Sequence, residues 1–305
     1  MRDFRFVRID VDRIPAYVRS LPIDRLNAPE LDPKAHYIGE PADTVGFFVT
    51  LDAINFGSGY FPHLSKLPGR SGYVTVATHL ADYFRAQGLI GAKELAEMDA
   101  ARCGELFHQQ SDDGPIDELI GHFAGALRDL GQMLLADFGG DFVRLVRSAN
   151  KSAGTLVHTL ARMPMFRDVQ IYRNLEVPFF KRAQLTAADL NLALRGHELG
   201  EFDDLDQLTI FADNLVPHVL RCDAVLKYDE SLAARIDAGE LIAANSEEEV
   251  EIRAAAVHAA ELIVAELHRA GQRVTAMQVD YLLWNRGQEP SYKARPRHRA
   301  RTVYY

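Results

Sequence analysis

The sequence predicts an all-α, multi-helix globular fold. Apolar residues recur three or four positions apart over much of the chain, which is the spacing of one helix face. Of the 305 residues, 48% are apolar, enough for a large buried core. Capping signals, such as Ser246 followed by Glu249, mark helix starts. We expect a single domain over residues 1–305, with soft lobes at 1–150 and 151–305.

The N-terminal region combines a proline-rich arm with one buried segment. Five prolines fall within residues 1–45, which is typical of an irregular arm or of short helices over the body. The next segment, Val45–Leu64, is expected to begin as a buried helix or strand and to turn at Gly57-Ser58-Gly59. This turn lacks the spacing of a phosphate-binding loop.

Residues 71–138 are predicted to be helical throughout. Gly139-Gly140 then interrupts the chain, and a further helix is predicted from Phe142 to about Leu160. Two apolar stripes at helical spacing support the first prediction: Val76, Leu80, Tyr83 and Phe84, then Leu119, Phe123, Leu127, Leu130 and Leu134.

Two adjacent bases precede the next predicted helix. Lys181 and Arg182 come just before the capping box from Thr186 to Asp189, which predicts a helix that ends near Gly196. On an acidic chain such bases indicate either an anion contact or two solvated charges, and solvated charges are commoner. This helix and the one after it are expected to form a helix-hairpin-helix-like unit with a short turn.

Asp213 falls on the following predicted helix, Asp206–Leu220. Pro217 has no N–H for the Asp213 carbonyl, so the helix must stop or kink just after Asp213. Asp213 is then either a functional carboxylate at a helix break or the cap of a helix whose first turn holds Pro217. From the residues alone, capping is favoured. The predicted apolar face contains Leu208, Phe211, Ala212, Leu215 and Val219.

The C-terminal region is predicted to hold one long helix and a folded-back tail. Ser246 and Glu249 form the capping box that opens the helix. The basic tail, Lys293–Tyr305, closes on two tyrosines. Because a mobile tail has no need of two aromatic rings, we expect it to pack against the body.

Charge and cysteine content exclude several classes of protein. The chain has 34 Lys and Arg against 43 Asp and Glu, a net charge of −9, which argues against gripping a phosphate backbone. Cys103 and Cys222 lack disulfide-framework or zinc-site spacing and fit a reducing cytoplasm. No signal peptide or membrane-spanning run is evident. We expect a cytoplasmic monomer without a metal, nucleic-acid partner or membrane partner.

Polar and aromatic side chains gather around the Gly-Ser-Gly turn. Asp52, Asn55, Phe56 and Phe61 bring carboxylate, amide and ring faces together within ten positions of one another. A planar heterocycle needs this mixture for hydrogen bonds to its edge and for stacking. An ordinary loop that packs aromatic rings into the core explains the same residues equally well.

Several short segments occur together in the order found in one protein family. They are LDAINF, FFKRAQLTAADL, LTIFADNLVPHVL, LKYDESL, EVEIRAAAVHAAELI, VDYLLW and HRARTVYY. In these segments the chain resembles the queuosine salvage protein family, with residues 65–165 the least characteristic part. The resemblance implies an all-α protein distantly related to helix-hairpin-helix DNA glycosylases. It also implies hydrolysis of queuosine 5′-monophosphate to queuine and ribose 5-phosphate, with no metal or organic cofactor.

The resemblance also implies roles for individual residues. Asp213 matches the position of the family's catalytic aspartate. Breaking a ribosyl C–N bond builds an oxocarbenium-like sugar, whose positive charge a carboxylate stabilises while it orients or deprotonates water. Lys181 matches the lysine of the family's KRAQ motif, with a polar role toward Asp213 or the ribose phosphate.

Binding of the substrate requires contacts to the base and to the phosphate. A 7-deazaguanine has no N7 to protonate, so its departure must be helped by hydrogen bonds at other edge atoms or by strain. Asp52 and Asn55 are candidates for those bonds, with Phe56 and Phe61 stacking. Candidates for the phosphate end, chosen on chemistry, are Tyr228, Arg299, Arg301 and the terminal tyrosines.

Two other functions account for parts of the sequence. A DNA glycosylase-like nucleic-acid-binding protein fits the predicted helical hairpin, but it predicts a basic face and an LPGVG-type turn where this chain has LDQLT. A non-catalytic helical adaptor would use Asp213 and Lys181 only as a structural ion pair. The adaptor predicts that Asp213→Asn keeps function, whereas the hydrolase predicts a folded protein without turnover.

Overall fold

The computed structural model describes residues 4–26, 30–110 and 114–305, and it confirms the all-α prediction. Fourteen α-helices lie within these ranges. In chain order they are α1 (Ile14–Ser20), α2 (Pro41–Ala53), α3 (Gly72–Gln87), α4 (Ala92–Ala96), α5 (Ala100–Leu106), α6 (Pro115–Phe138), α7 (Phe142–Ser148), α8 (Ala153–Leu160), α9 (Lys181–Ala193), α10 (Leu215–Cys222), α11 (Glu230–Asp237), α12 (Glu247–Arg269), α13 (Ala276–Arg286) and α14 (Pro290–Lys293).

Four short strands form two small antiparallel sheets in the described part of the chain. Strand β1 (Val7–Ile9) pairs with β4 (Leu226–Tyr228), and β2 (Val169–Tyr172) pairs with β3 (Leu175–Pro178). The pairing of β1 with β4 ties the N-terminal arm to the chain segment that follows α10.

Two large clusters of buried apolar side chains make up most of the core. The first runs through helices α2 to α9 and includes Phe47, Phe84 and Phe123. The second joins α1 to α10, α12 and α13 and includes Val219 and Ile263. The proposal of one domain with soft lobes on either side of residue 150 stays a prediction.

Helix α6 matches the stripe that its sequence predicts. It begins with Pro115, which needs no N–H partner in the first turn, and it ends before Gly139 in the left-handed conformation at φ 63°. The stripe residues are all 0% exposed: Leu119, Phe123, Leu127, Leu130 and Leu134.

The helix predicted from Phe142 to about Leu160 is two helices, α7 and α8. Asn150 and Lys151 adopt positive φ values of 48° and 59° at the break. Ser152 caps α8 through its hydroxyl, and Asp204 accepts hydrogen bonds from the first backbone N–H groups of the same helix. The local capping signal therefore prevails over the continuous apolar pattern.

Helix α9 begins at Lys181, and the capping box predicted at Thr186 is wrong. Thr186 lies inside the helix, where its hydroxyl donates to the Arg182 carbonyl at 3.0 Å. The predicted short turn after α9 is also longer than expected. Residues 194–214, with two single 3-10 turns, separate α9 from α10.

The predicted helix Asp206–Leu220 is wrong in its first half. Residues 208–213 form no regular helix, and α10 begins only at Leu215. Side chains satisfy the backbone there, since Thr209 N donates to Gln184 and Phe211 N donates to Asp280. Of the residues that seemed to share one helix face, Leu208, Phe211 and Ala212 therefore lie before the helix, whereas Leu215 and Val219 lie in α10.

The C-terminal tail folds back onto the body as predicted. The Tyr305 carbonyl accepts a hydrogen bond of 2.9 Å from Gly57 N, and the Arg299 carbonyl accepts one of 2.8 Å from Ile242 N. At Gly59 the tail comes so near that a Cβ atom would lie 2.2 Å from the Ala300 carbonyl oxygen. Only glycine therefore permits this approach.

Candidate active site

A cavity of about 480 Å³ is lined by residues of both apolar clusters. Helices α9, α10 and α13, the segment after α2 and the C-terminal tail contribute to its wall. It brings together most of the predicted site residues: Asp213, Lys181, Asn55, Phe56, Phe61 and Arg299.

Asp213 is held at the N-terminus of α10. Its Oδ1 atom accepts hydrogen bonds from Leu215 N at 2.8 Å and Val216 N at 3.0 Å, and Pro217 lies in the first turn. The capping alternative is therefore correct in geometry. The same side chain lines the cavity, and the helix N-terminus favours its negative charge. Capping thus fixes the orientation of a carboxylate that faces the cavity.

Lys181 starts α9 with its ammonium group inside the protein. The side chain is 7% exposed, and Nζ donates to the Asn55 carbonyl at 3.1 Å and to Asn55 Oδ1 at 3.3 Å. Burial lowers the pKa of Lys181, and the nearby carboxylates Asp213 and Asp52 oppose that shift. The interpretation of Lys181 as a solvated charge is wrong.

Arg182 is buried and bonds to the backbone of two other segments, so it is not a solvated base. The side chain is 1% exposed and donates to the carbonyls of Ala53 and Met165. Its guanidinium lies over the ring of Phe56 at 4.7 Å, and burial lowers its pKa to about 9. Arg182 thereby covers one face of Phe56 and limits the ring surface that Phe56 offers to a ligand.

Asp52 lies behind the cavity wall. It is 0% exposed, and its Oδ1 accepts a 3.3 Å hydrogen bond from the Asn55 amide. Burial raises the pKa of Asp52 to about 7. Asp52 acts on Asp189, which does line the cavity, and burial together with the Asp52 charge raises the pKa of Asp189.

Sequence analysis missed Asp280 and an aromatic group on the same wall. Asp280 is 3% exposed, and its Oδ1 accepts a 2.9 Å hydrogen bond from Phe211 N. Tyr73, Tyr281 and Trp284 line the cavity nearby. The available signal was an acidic residue inside the apolar run VDYLLW, because a buried carboxylate requires partners that only a site or network supplies.

Basic side chains surround another part of the cavity. Arg297 is half-buried, and burial lowers its pKa while the Asp213 charge opposes that shift. Arg299 lines the cavity and donates to the Gly239 carbonyl at 2.8 Å. The remaining bases on the wall are Lys66, Lys293 and Arg295.

Of the predicted phosphate contacts, Arg299 and Tyr305 line the cavity, whereas Tyr228, Arg301 and Tyr304 do not. Tyr228 lies in β4 with Arg221 over its ring at 5.1 Å. Arg301 lies over the ring of Tyr60 at 5.6 Å. Arg297, two positions from Arg299 along the tail, is the base whose charge interacts with Asp213.

The charges acting on each group give the cavity two different ends. The Asp213 charge acts on Arg297, Lys181 and Asp280, and the Lys181 charge acts in turn on Asp189. Asp189 acts on the hydroxyls of Tyr73 and Tyr281. A basic end thus leads through Asp213 and Lys181 to an acidic, aromatic end.

Two kinds of feature are absent from residues 4–26, 30–110 and 114–305, which the structure describes. Over these ranges, no group of three or more His, Cys, Asp or Glu side chains is arranged to hold a metal ion. No helix in these ranges is both long enough and apolar enough to cross a bilayer.

All of these site residues lie within the part of the chain that matches a known protein family. A sequence profile of the family described as "Queuosine salvage protein" matches residues 35–305. The Queuosine 5′-phosphate N-glycosylase/hydrolase of Sphaerobacter thermophilus is 35% identical over 305 residues, covering 98% of this chain and 93% of that protein.

Eukaryotic relatives match over a shorter region. The protein of the same name from Dictyostelium discoideum is 37% identical over 180 residues, which is 59% of this chain and 56% of that protein. The Bos taurus protein of that name is 34% identical over 190 residues, with the same two coverages of 59% and 56%. The similarity therefore reaches from bacteria to animals.

Proposed function

Because this chain belongs to the queuosine salvage protein family, we propose that it hydrolyses the N-glycosidic bond of queuosine 5′-monophosphate. The products are queuine, for reuse in tRNA modification, and ribose 5-phosphate. The observation that carries the proposal is the position of Asp213 and Lys181 on the wall of one cavity, between a basic end and an acidic, aromatic end.

Asp213 is the catalytic carboxylate in this proposal. As the bond from C1′ to the base lengthens, positive charge develops on the ribose, and the oriented carboxylate stabilises that charge. It also orients a water molecule for attack at C1′ and takes its proton. The two backbone N–H bonds support this role, since they hold the group in place without further reorganisation.

Lys181 supports the ribose side of the substrate. An ammonium group has three N–H donors, and Asn55 receives two of them. The third is available to a ribose or phosphate oxygen or to Asp213. Asn55 is thus a positioning residue for Lys181, and its amide also bonds to Asp52.

The charges favour one orientation of the nucleotide. The phosphate is placed at the basic end, where Arg297 and Arg299 supply guanidinium groups suited to a dianion. The base is placed toward Asp189 and the neighbouring aromatic rings, where a carboxyl oxygen can accept from ring N–H groups. Phe61 and Trp284 line the wall and offer stacking surface.

The proposal includes a cytoplasmic monomer that acts on a small nucleotide. The net charge of −9 and the lack of disulfide-framework cysteine spacing support the absence of nucleic-acid partners and a reducing compartment.

The test is release of base from queuosine 5′-monophosphate, with guanosine 5′-monophosphate as the comparison substrate. Purified protein is incubated with each nucleotide, and free base is followed by chromatography. We expect queuine release from the deazapurine nucleotide only. Asp213→Asn keeps a capping oxygen and the fold, and it lowers kcat by roughly 10²–10⁴-fold.

Asp229→Asn is the matched control. Asp229 caps α11 through Ser231 N, as Asp213 caps α10, but it does not line the cavity. Asp229→Asn is expected to keep full turnover. Absence of queuine release by the well-folded unmutated protein, or equal turnover in Asp213→Asn, contradicts the proposal.

A further inference from the structure

Asp280 is a second acidic residue on the cavity wall, and it interacts with Asp213. It lies on α13 and is 3% exposed. Phe211 N donates to Oδ1 at 2.9 Å, which fixes the group and leaves the second oxygen for other contacts. Phe211 is only two positions before Asp213, so one short segment positions both carboxyl groups.

The surroundings of the two carboxyl groups differ. Asp213 accepts two backbone N–H bonds at a helix N-terminus, an arrangement that favours negative charge. Burial raises the pKa of Asp280 well above its usual range, and the Asp213 charge adds to this shift. Neighbouring carboxyl groups in such different environments divide into a base and an acid.

The proposed reaction needs an acid as well as a base. When the C1′–N9 bond breaks, both of its electrons go to the base. A purine can accept a proton at N7 to ease this, but a 7-deazapurine has no N7. Another ring nitrogen, N9 or N3, must take up the proton.

We propose that Asp280 is the proton donor to the departing base, an inference that rests on the proposed hydrolysis. The C1′–N9 electron pair passes to the ring, the Asp280 O–H proton binds a ring nitrogen, and water oxygen bonds to C1′. Asp213 takes the proton that water loses. Proton exchange with solvent then returns Asp213 to the carboxylate and Asp280 to the acid.

Other acidic groups on the wall suit this role less well. Lys181 already donates to both oxygens of Asn55. His218 Nε2 lies 2.9 Å from the Tyr292 carbonyl, and burial lowers its pKa, so the ring is a poor proton donor at neutral pH. The charges that act on Asp189 come from Asp52 and Lys181, whereas Asp280 interacts with Asp213 itself.

The test compares two leaving groups in the same variant. One substrate is queuosine 5′-monophosphate, and the other is 4-nitrophenyl ribofuranoside 5-phosphate, whose nitrophenolate leaves without a proton. Asp280→Asn keeps an acceptor for Phe211 N. We expect it to lower kcat/KM for the nucleotide by about 10²–10⁴-fold and for the aryl substrate by less than about tenfold.

Two further variants keep the test decisive. Asp280→Ser is measured if Asp280→Asn folds poorly. In either variant the ratio of the rates on the two substrates, measured in one preparation, does not depend on the folded fraction. Asp129→Asn is the control, because Asp129 is a partly buried carboxyl whose pKa burial raises but which does not line the cavity. It is expected to leave both rates unchanged.

A selective loss on the nucleotide supports Asp280 as the donor. Equal losses on both substrates, or nucleotide turnover within about tenfold of the unmutated protein, overturn it. If the unmutated protein does not cleave the aryl substrate, a fall in kcat at constant KM supports the inference, and any other change overturns it. Failure of the hydrolysis itself is seen separately, as absence of queuine release by the unmutated protein.

Discussion

Replacing Arg253 by methionine is expected to cost about 3–5 kcal/mol of folding free energy. Arg253 is 0% exposed and Asp168 2% exposed, and the two side chains form a bidentate pair with Nη1 to Oδ1 at 3.0 Å. Glu249 supplies a second carboxyl group, whose Oε1 lies 3.5 Å from Arg253 Nη1. Arg253→Met leaves both carboxyl groups buried without their cation, which explains the size of the loss.

The same substitution should also disturb the site. Arg253 Nε donates to the Ala212 carbonyl at 2.9 Å, and Asp168 accepts from Lys181 N at 3.3 Å. The guanidinium therefore supports the residue before Asp213 and the first residue of α9. We expect lower turnover even at temperatures where the variant remains folded.

Thermal and urea unfolding measure the loss. At about 2–4 °C per kcal/mol, the melting temperature should fall by roughly 6–20 °C. Arg235→Met is the control, because Arg235 pairs with Glu240 and Glu248 while 37% exposed. It should cost less than about 1 kcal/mol. A similar small loss in Arg253→Met would refute the reasoning, since it would mean that methionine packing compensates for the lost ion pair.

Three further predictions concern Asp52, Gly59 and Arg297. As the pH rises from about 4 to about 7, the unmutated protein should lose stability relative to Asp52→Asn. Burial raises the pKa of Asp52 from 3.8 to about 7, so over this range only the folded state keeps the proton. Unfolding curves measured across this pH range check the prediction. Gly59→Ala should destabilise the protein, since its Cβ would lie 2.2 Å from the Ala300 carbonyl, whereas Gly91→Ala, with nothing within 4 Å, should change the melting temperature little. Arg297→Gln should weaken ribose 5-phosphate binding by about 10–100-fold in calorimetry while leaving queuine binding unchanged, and equal weakening of both would contradict the basic-end assignment.

The sequence predicts regular helices well where one face alone decides the pattern. In α6 every residue of the predicted stripe packs into the first cluster, because a long helix against a single core has one buried side. Ser246 likewise caps α12 through Glu249 N, but the return bond from the Glu249 side chain that the predicted capping box requires is not formed. Glu249 itself is buried near Arg253, so its role extends beyond the dipole at the helix start.

The segment before Asp213 shows why the periodicity of apolar residues misleads. Leu208 and Phe211 pack into the first cluster, whereas Val219 packs into the second. Apolar positions that serve two cores can reproduce the spacing of one helix face by coincidence. The side-chain acceptors Gln184 and Asp280, which are distant in sequence, help to stabilise this non-helical backbone.

The site residues divide in the same way. Asp213 and Lys181 were assigned from the family motifs, and the cavity brings both together. The roles of Asp280 and Arg297 depend on contacts across the fold, which the sequence does not display. Burial of Arg182 was equally unexpected, because its carbonyl acceptors come from Ala53 and Met165.

Three consecutive residues before Asp213 belong to three different clusters. Ile210 packs into the second large cluster, Phe211 into the first, and Ala212 into a small cluster with Phe179. A displacement of one large cluster relative to the other would therefore shift this short peptide. Slow relative motion of the two clusters would move the proposed catalytic carboxylate, so that exchange of substrate and product and the alignment of Asp213 would share one motion.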